Sequence, residues 1–334
     1  MANGERPIMT TAEILAQIPK LRVLVVGDVA LDRWCRYDPS LADPSRETGI
    51  PRIGVVSTET TAGAAGTIAN NAASLGAQVE VLGAIGDDGF GVELARALER
   101  AGIGSDLLLR SGDIATFTYT KLINSESGVE DLPRVDYVNT RPIPESLDRD
   151  LVRRFEEAAP KYDVILVSDQ AETDNGGIVT SAMRVAISRA AAVQPETVVW
   201  VDSRMRAEHF RGVIVKPNRE EAEAACLRAI GRIDYEEFRR YIEAPLLVVT
   251  QGPAGALLVD QRGSVSICGN PVDKPVDICG AGDSFSAGAA LAFQIARDPA
   301  AAARMGNLVA SITVMKPGTG TASPEEVLAA AGDD

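Results

Sequence analysis

Short apolar runs alternate with amphipathic, helix-forming segments along most of this chain. The runs at 21–26, 163–168 and 197–201 consist mainly of Val, Ile and Leu, which is typical of strands buried on both faces. The segments between them show the apolar spacing of helices. Strands that alternate with helices form a mostly parallel sheet with helices on both faces. The sequence therefore predicts an α/β fold with three layers, α-β-α.

Composition narrows the range of partners and locations. With 334 residues, 46% of them hydrophobic, the chain can bury a large core. Its 33 basic and 47 acidic residues give a net charge of −14, which disfavours nucleic acid or an anionic membrane as a partner. No apolar run approaches the roughly 18 residues of a membrane span, and no signal-peptide pattern is visible. The four cysteines lack metal-binding spacing, so we expect a reduced, cytoplasmic protein without disulfides.

The run Gly280-Ala281-Gly282 stands where an extended segment is predicted to turn into a helix. The first N–H groups of a helix have no partner within it, so they attract an anion, and small residues let that anion approach closely. Asp283 follows directly. A carboxylate there would repel a phosphate, but it is suited to take a proton from a hydroxyl that attacks a phosphoryl group. By pattern alone, an N-capping Asp after a Gly-rich turn explains the run equally well.

The run from Asp277 to Phe285 resembles the D-x-x-G-A-G-D signature of the ribokinase-like carbohydrate kinases, the phosphofructokinase-B type. The resemblance extends over about residues 20–328. It implies a ribokinase-like fold with a small β-sheet lid. It also implies one kinase domain over residues 1–334, with lid segments at about 33–60 and 108–140. In this family the block supplies both the anion hole, here Gly280, Ala281 and Gly282, and the catalytic base, here Asp283.

Further motifs place the acceptor. The segment V-V-G-D-V-A-L-D resembles the family's first strand, which makes Asp32 a ligand of sugar hydroxyls, although an Asp just past a strand is often a turn residue. Gly63 begins a segment like the family's G-G-x-x-N, but Gly66 stands at the Asn position and removes one sugar contact. T-x-T-K-L and R-V-D resemble the lid of bacterial D-glycero-β-D-manno-heptose-7-phosphate kinases and make Arg134 and Asp136 substrate-binding candidates. Without the resemblance, this region is a solvent-exposed hairpin with ordinary charges.

Arginines suggest that the acceptor carries a phosphate. Arg204 and Arg206 follow the strand that ends at Val201, and Arg134 lies on the predicted lid. Arginine binds phosphate oxygens in a bidentate manner, so these side chains would hold the far end of a sugar phosphate. The alternative is that they pair on the surface with Asp202, Glu208 or Glu221, which contributes little to stability.

The nucleotide side follows from the same resemblance. It assigns to ATP the residues Asn218, Thr250, Gly252, Gly255 and Asn307, and to metal ions Glu221 and Asp277. Asn218 and Glu221 form N-x-x-E, which in the family adjusts the Mg²⁺ and phosphate site. Read alone, that motif is an Asn cap followed by acidic first-turn residues. Asp277, together with residues 318–321, would close a K⁺ site as in some members of the family.

The resemblance thus implies ATP-dependent phosphorylation of a sugar or sugar phosphate, with Mg²⁺, with K⁺ in some members, and with a homodimer formed through the lid. Two alternatives stay open: a kinase of a free sugar or nucleoside, and a non-catalytic sugar- or nucleotide-binding member of the fold. Asp283 argues against the second alternative, whereas Gly66 argues slightly for it. The sequence has no G-x-x-x-x-G-K-[ST] motif and no G-x-G-x-x-G after the first strand, which excludes P-loop and dinucleotide sites.

Overall fold

The computed structural model describes residues 9–173 and 176–332 of the chain. In chain order its strands are β1 (Arg22–Gly27), β2 (Val29–Asp38), β3 (Gly54–Ala64), β4 (Gln78–Gly86), β5 (Leu108–Ser111), β6 (Phe117–Asn124), β7 (Val135–Tyr137), β8 (Val164–Asp169), β9 (Val198–Ser203), β10 (Ile214–Val215), β11 (Leu247–Thr250), β12 (Ala256–Asp260) and β13 (Gly263–Ile267). Its α-helices are α1 (Thr11–Leu15), α2 (Ala65–Ser74), α3 (Gly89–Arg100), α4 (Glu145–Ala158), α5 (Ser181–Val193), α6 (Arg219–Ile230), α7 (Tyr235–Tyr241), α8 (Ala281–Ala296), α9 (Pro299–Thr313) and α10 (Pro324–Ala331). In the described residues no helix is both long and apolar enough to cross a bilayer.

The large sheet has the strand order β13-β12-β11-β10-β9-β8-β1-β4-β5, and only β12 runs antiparallel to the other strands. Successive side chains of a strand point to opposite faces, so each apolar strand feeds two cores. In β1, Val23 and Val25 join the cluster under α2, α8 and α9, whereas Leu24 and Val26 join the cluster under α4 to α7. The predicted three-layer α-β-α architecture is therefore confirmed.

A second sheet, with the strand order β3-β2-β6-β7, forms the small lid that the resemblance implied. Its bounds differ from the predicted segments in two places. The lid starts at Val29, because only Asp28 separates β2 from β1. Residues 108–111 form β5, which pairs with β4 and so belongs to the large sheet. The lid strands β2 and β6 run parallel, and β3 and β7 flank them antiparallel.

Asp28 ties the lid junction to the carboxyl edge of the large sheet. Its buried carboxylate accepts hydrogen bonds from the backbone N–H groups of Gln170, Ala171 and Ile178 at 2.8–3.0 Å. Burial, followed by the nearby charge of Asp169, raises the pKa of Asp28 to about 6. The loop after β8 is thereby held beside the start of β2, where the candidate site lies.

Candidate active site

The N-terminus of α8 faces a cavity of about 490 Å³ at the carboxyl edge of the large sheet. Gly280, Ala281, Gly282 and Asp283 all line this cavity. Gly280 has a φ of +78°, a left-handed conformation that favours glycine. No side chain in the described part of the chain caps this helix. The N–H of Ala281 donates to the carbonyl of Ile278 at 3.2 Å, whereas the N–H groups of Gly280, Gly282 and Asp283 have no hydrogen-bond partner in the described residues and are available to an anion. The predicted start of a helix at this run is therefore confirmed, but the residues before it, 268–280, form turns and irregular loop and not a strand.

Asp283 lies half-buried in the first turn of α8. Burial raises the pKa of its carboxyl group to about 8, and the charge of Asp202 acts in the same direction, while Lys216 and Arg204 oppose the shift. A carboxylate with a raised pKa is a stronger base than an ordinary Asp. Only its deprotonated form can accept the proton of an alcohol, so the active fraction increases as pH rises towards 8.

Lys216, which the sequence reasoning missed, lies directly beside the anion hole. Its Nζ is 2.7 Å from Oδ2 of Asp202, and the two side chains are only 4% and 7% exposed. A Cβ placed on Gly282 would lie 3.2 Å from this Nζ, so the ammonium group contacts the backbone of the hole. Ser286, on α8, donates to the same Asp202 oxygen at 3.1 Å. A lysine directly after the apolar run 213–215 was the signal that could have found it.

The charge of Lys216 is stabilised where it stands. Burial alone would lower the pKa of its ammonium group, but the carboxylate of Asp202, with smaller effects of Glu221 and Asp283, raises it overall. The side chain therefore stays protonated next to the first turn of α8. The ammonium group thus places a positive charge beside the unpaired N–H groups at the start of α8.

Asn218 and Glu221 form a capping box at the start of α6. Oδ1 of Asn218 accepts from the N–H of Glu221 at 2.9 Å, and Oε2 of Glu221 accepts from the N–H of Asn218 at 2.8 Å. Both residues also line the cavity. Burial, and then the charge of Asp202, raises the pKa of Glu221. The capping role and the predicted position at the site therefore coexist.

The other residues assigned to the nucleotide line the same cavity: Thr250, Gly252, Gly255 and Asn307. At Gly255, φ is +96° and an added Cβ would lie 2.1 Å from the carbonyl oxygen of Ile267, so only glycine fits. Nδ2 of Asn307 donates to the carbonyl of Cys268 at 2.9 Å. This hydrogen bond holds α9 against the segment that follows β13.

Asp277 lies apart from the cavity lining and supports the anion hole from behind. Its Oδ1 accepts from the N–H of Cys279 at 2.9 Å, and its Oδ2 accepts from the N–H of Gly318 at 3.1 Å. Among residues 9–173 and 176–332, no group of three or more His, Cys, Asp or Glu side chains is placed to hold a metal ion. A divalent ion at this site would therefore take most of its ligands from phosphate and water.

Asp32 lies on the lid and is not among the residues that line the cavity. The sequence placed it just past the end of a strand, but it lies inside β2, opposite Thr61 of β3 and beside Tyr119 of β6. Asp32 does lie past the end of β1, as predicted, but the chain re-enters a strand right after Asp28, so Asp32 is a strand residue and not the turn residue that the alternative allowed. A Cβ on Gly63 would lie 2.4 Å from Oδ2 of Asp32, so the carboxylate rests on the glycine backbone. Asp32 and Gly63 are thus brought together, as predicted.

Partial burial raises the pKa of Asp32 to about 6, although Lys121 and Arg134 act to lower it. The charge of Asp32 also contributes to the raised pKa of Asp283. The two carboxylates therefore interact electrostatically from the lid and from α8. An acceptor bound between them would meet one carboxylate from each side.

Arg134 and Asp136 form a bidentate ion pair, with Nε and Nη2 of Arg134 at 2.7 Å and 2.6 Å from the two oxygens of Asp136. The guanidinium also lies 5.0 Å above the ring of Tyr119, within the range of a cation–π interaction. Both charged residues are exposed. They form an oriented ion pair on the same lid that carries Asp32.

The two arginines after β9 differ in their surroundings. Arg204 is exposed, pairs with Glu172 and lines the cavity. Arg206 is 13% exposed, and its Nη2 lies 2.7 Å from Oδ1 of Asp169. Arg206 also donates to the carbonyl oxygens of Ala171 and Thr173. The prediction that Arg206 faces the acceptor is therefore wrong, because its guanidinium is used to hold the loop after β8.

Gly66 lies buried in the first turn of α2, where a Cβ would be 2.5 Å from that of Ala62. This packing leaves no room for the Asn side chain of the family pattern. The next residue, Thr67, is also buried, and its methyl group lies 3.0 Å from where a Cβ of Gly280 would be. Thr67, which the sequence reasoning did not single out, is therefore the α2 side chain that reaches the anion hole.

Solved structures of a phosphofructokinase and a ribokinase share this fold. Escherichia coli phosphofructokinase-2 in complex with potassium matches with a TM-score of 0.69 at 19% identity, over 93% of this chain and 98% of that one. Arabidopsis thaliana ribokinase complexed with ribose and ATP matches with a TM-score of 0.66 at 18% identity, over 94% and 99%. At these identities the likeness establishes the fold.

Residues 20–326 match the pfkB family of carbohydrate kinases, and the chain belongs to this family. It is therefore a carbohydrate kinase by family. The bifunctional protein HldE of Citrifermentans bemidjiense is 30% identical over 320 residues, which make up 93% of this chain and 63% of the relative. The chain thus spans less than two thirds of the length of this curated relative.

Proposed function

We propose that the chain transfers the γ-phosphoryl group of ATP to a hydroxyl of a sugar phosphate, of the type that heptose-7-phosphate kinases use. One observation carries this proposal: the uncapped N-terminus of α8 and Asp283 open into one cavity, with Lys216 against the same turn. This arrangement combines a site for negative charge with a base beside it. Phosphoryl transfer to an alcohol needs both.

In the proposed reaction ATP lies along the cavity from Asn307 towards the anion hole. Asp283 takes the proton of the acceptor hydroxyl as its oxygen attacks the γ-phosphorus. The bond from that phosphorus to the bridging oxygen breaks, and ADP leaves. The unpaired N–H groups of Gly280 and Gly282 and the ammonium of Lys216 stabilise the negative charge on the transferring group. Asp32 accepts hydrogen bonds from other hydroxyls of the sugar and thereby orients the acceptor.

The donor atoms of the site fit Mg²⁺. We assign it to the side chains of Glu221 and Asn218 together with phosphate oxygens and water, and when bound it would neutralise charge on the phosphates. A K⁺ ion at Asp277 would have to share the carboxylate with two backbone N–H groups. We keep this ion as a prediction, and activity in potassium compared with tetramethylammonium salts tests it.

We expect Asp32→Ala to raise the KM for the acceptor roughly tenfold or more while the KM for ATP changes little. The reason is that Asp32 lies on the lid, whereas the nucleotide residues lie on the large sheet. Each lost hydrogen bond runs from a sugar hydroxyl to the charged carboxylate of Asp32, and such bonds contribute about 1.5–3 kcal/mol. Steady-state kinetics with each substrate varied in turn measures the split. An equal change in both KM values would show that Asp32 only shapes the lid.

Arg204→Ala is expected to lower kcat/KM for a sugar phosphate about tenfold relative to the unphosphorylated sugar. Arg204 lines the cavity. Within the described residues its side chain donates a hydrogen bond only to the exposed Glu172, so a phosphate can compete for the guanidinium. Arg211→Ala serves as the matched control, since that guanidinium stacks on Tyr241 away from the cavity. An unchanged ratio in Arg204→Ala would contradict a phosphate-binding role.

A screen of ADP release with free sugars, nucleosides, hexose phosphates and heptose 7-phosphate tests the proposed function. We expect release that depends on a sugar phosphate. Equal turnover with a free sugar or nucleoside would favour the first alternative. Binding of ATP without acceptor-dependent release for any compound would favour a non-catalytic member of the fold.

We further propose that residues 1–334 work as one cytoplasmic kinase domain that dimerises through the lid. The support is the set of apolar side chains that the lid exposes: Val55, Val56, Val135 and Tyr137, each 44–56% exposed. A second lid would cover such a face. Sedimentation equilibrium of the intact chain and of Val56→Glu tests it, and a monomeric parent chain would contradict it.

A further inference from the structure

One contact joins the lid to the loop between α9 and α10. The indole ring of Trp34, on β2, lies against Gly318: a Cβ there would be 3.1 Å from Cζ2 and 3.5 Å from Cε2 of the ring. Gly318 also has a φ of +67°, which favours glycine on its own account. Both the close contact with the ring and the backbone conformation therefore favour glycine at position 318.

A second contact reaches the same loop from the neighbouring lid strand. Oγ1 of Thr61 lies 3.5 Å from Oγ1 of Thr319. Thr61 stands directly opposite Asp32 in the strand register, and Trp34 follows Asp32 by two positions. Opposed residues and residues two apart share a face of a sheet. The lid face that presents Asp32 to the acceptor thus also presents Trp34 and Thr61 to the loop.

On its other side the loop contacts the anion hole. The N–H of Gly318 donates to Asp277, whose second oxygen accepts from Cys279, the residue before Gly280. The methyl group of Thr319 lies 3.3 Å from where a Cβ of Gly280 would be. Residues 318 and 319 therefore lie between the lid and the turn that begins α8.

Neighbouring contacts hold this loop as a packed unit. The carbonyl of Val314 accepts from the N–H groups of Val276 and Asp277, at 2.8 Å and 3.1 Å. Nζ of Lys316 donates to the carbonyl of Thr321 at 2.6 Å and to Glu326 at 2.8 Å. The contact of Gly318 with Trp34 and its hydrogen bond to Asp277 therefore belong to one packed unit. Packed contacts of this kind are the physical means by which two sites are coupled.

We propose that Trp34 is a positioning residue that sets the geometry of the anion hole through Gly318 and Asp277. The anion hole takes its catalytic arrangement when β2 is seated on the acceptor, so Trp34 couples acceptor binding to phosphoryl transfer. This inference rests on the proposed kinase function. Trp34 itself touches no reacting atom in this account.

Kinetics give the first test. Trp34→Leu removes the ring from Gly318, and we expect kcat to fall about 2- to 30-fold, with the KM for ATP nearly unchanged. Tyr37→Leu is the matched control, because it removes another aromatic ring from β2, one that hydrogen-bonds to Asp131 and not to the loop. A fall in kcat of the same size in both variants would attribute the effect to general lid packing and overturn the proposal.

Fluorine NMR gives the second test and needs no acceptor. The chain has two tryptophans, so labelling with 5-fluorotryptophan yields two resonances, and Trp34→Phe assigns them. AMP-PNP with Mg²⁺ carries a γ-phosphate for the anion hole and ADP with Mg²⁺ does not. We expect the Trp34 resonance to differ between these two complexes, and to lose that difference in Asp277→Asn, where one of the two hydrogen bonds is broken.

The outcomes separate the two proposals. If calorimetry shows that both nucleotides bind but the Trp34 resonance is the same in both, the coupling does not exist. A difference that persists unchanged in Asp277→Asn would also overturn the route through Asp277. Failure of the wild-type chain to bind either nucleotide would refute the kinase function itself, and the positioning role with it.

Discussion

Asp283→Asn should lower kcat by roughly 10²–10⁴-fold, the usual contribution of a positioned general base. The amide keeps the size of the side chain and its place in the first turn of α8, but it cannot accept the proton of the acceptor hydroxyl. Binding of ATP should change little, since Asp283 repels phosphate rather than holding it. Steady-state turnover and calorimetric titration with ATP measure the two quantities. Turnover near that of the wild type would remove Asp283 from the mechanism.

Two controls separate chemistry from folding. Burial raises the pKa of Asp283 above its value in the unfolded chain, so the folded state binds this proton more tightly. The free energy of unfolding therefore falls as pH rises from the unfolded-state pKa through the folded-state pKa. At pH 8, Asp283→Asn should thus unfold no more easily than the parent. A base acts in its deprotonated form, so kcat/KM for the acceptor should rise with pH across an acidic limb. That limb should lie above the ordinary Asp value and disappear in Asp283→Asn.

Lys216→Met should lower kcat about 10²–10³-fold, as for the loss of one group that stabilises charge in the transition state. The ammonium lies against Gly282, where charge on the transferring phosphoryl group develops. The same change leaves Asp202 buried without its partner, which should destabilise the fold by about 3–5 kcal/mol. Turnover of the folded fraction and chemical unfolding measure these effects separately.

The double variant Lys216→Met/Asp202→Asn distinguishes the two roles of Lys216. It removes the orphaned carboxylate, so much of the lost stability should return. The kcat should stay low, since the positive charge beside the anion hole is still missing. If kcat recovers together with stability, Lys216 serves only the fold.

The sequence predicted the layers and the anion hole because both depend on local pattern. Apolar strands that alternate with helices pack as a parallel sheet between two helical layers. The small residues Gly280, Ala281 and Gly282 indicate the turn before α8, because glycine allows backbone conformations that other residues avoid. The cap formed by Asn218 and Glu221 is local in the same way. These features need no knowledge of distant contacts.

What the sequence could not give are contacts between residues far apart in the chain. Lys216 meets Asp202 and Gly282 only because three separate segments converge at one edge of the sheet. Arg206 pairs with Asp169, at the start of a loop that packs on Asp28, whereas Arg204, two positions earlier, pairs with Glu172. The sequence did not show that Asp32 lies within a second strand, because only Asp28 separates β1 from β2.

The most direct test of the central claim is mass spectrometry of the products formed from ATP, Mg²⁺ and heptose 7-phosphate, with ADP counted in the same reaction. We expect the wild-type chain to form a sugar bisphosphate in an amount equal to ADP, and Asp283→Asn to form almost none. ADP release that is independent of the acceptor, or an unchanged sugar phosphate under conditions where ATP binds, would contradict it.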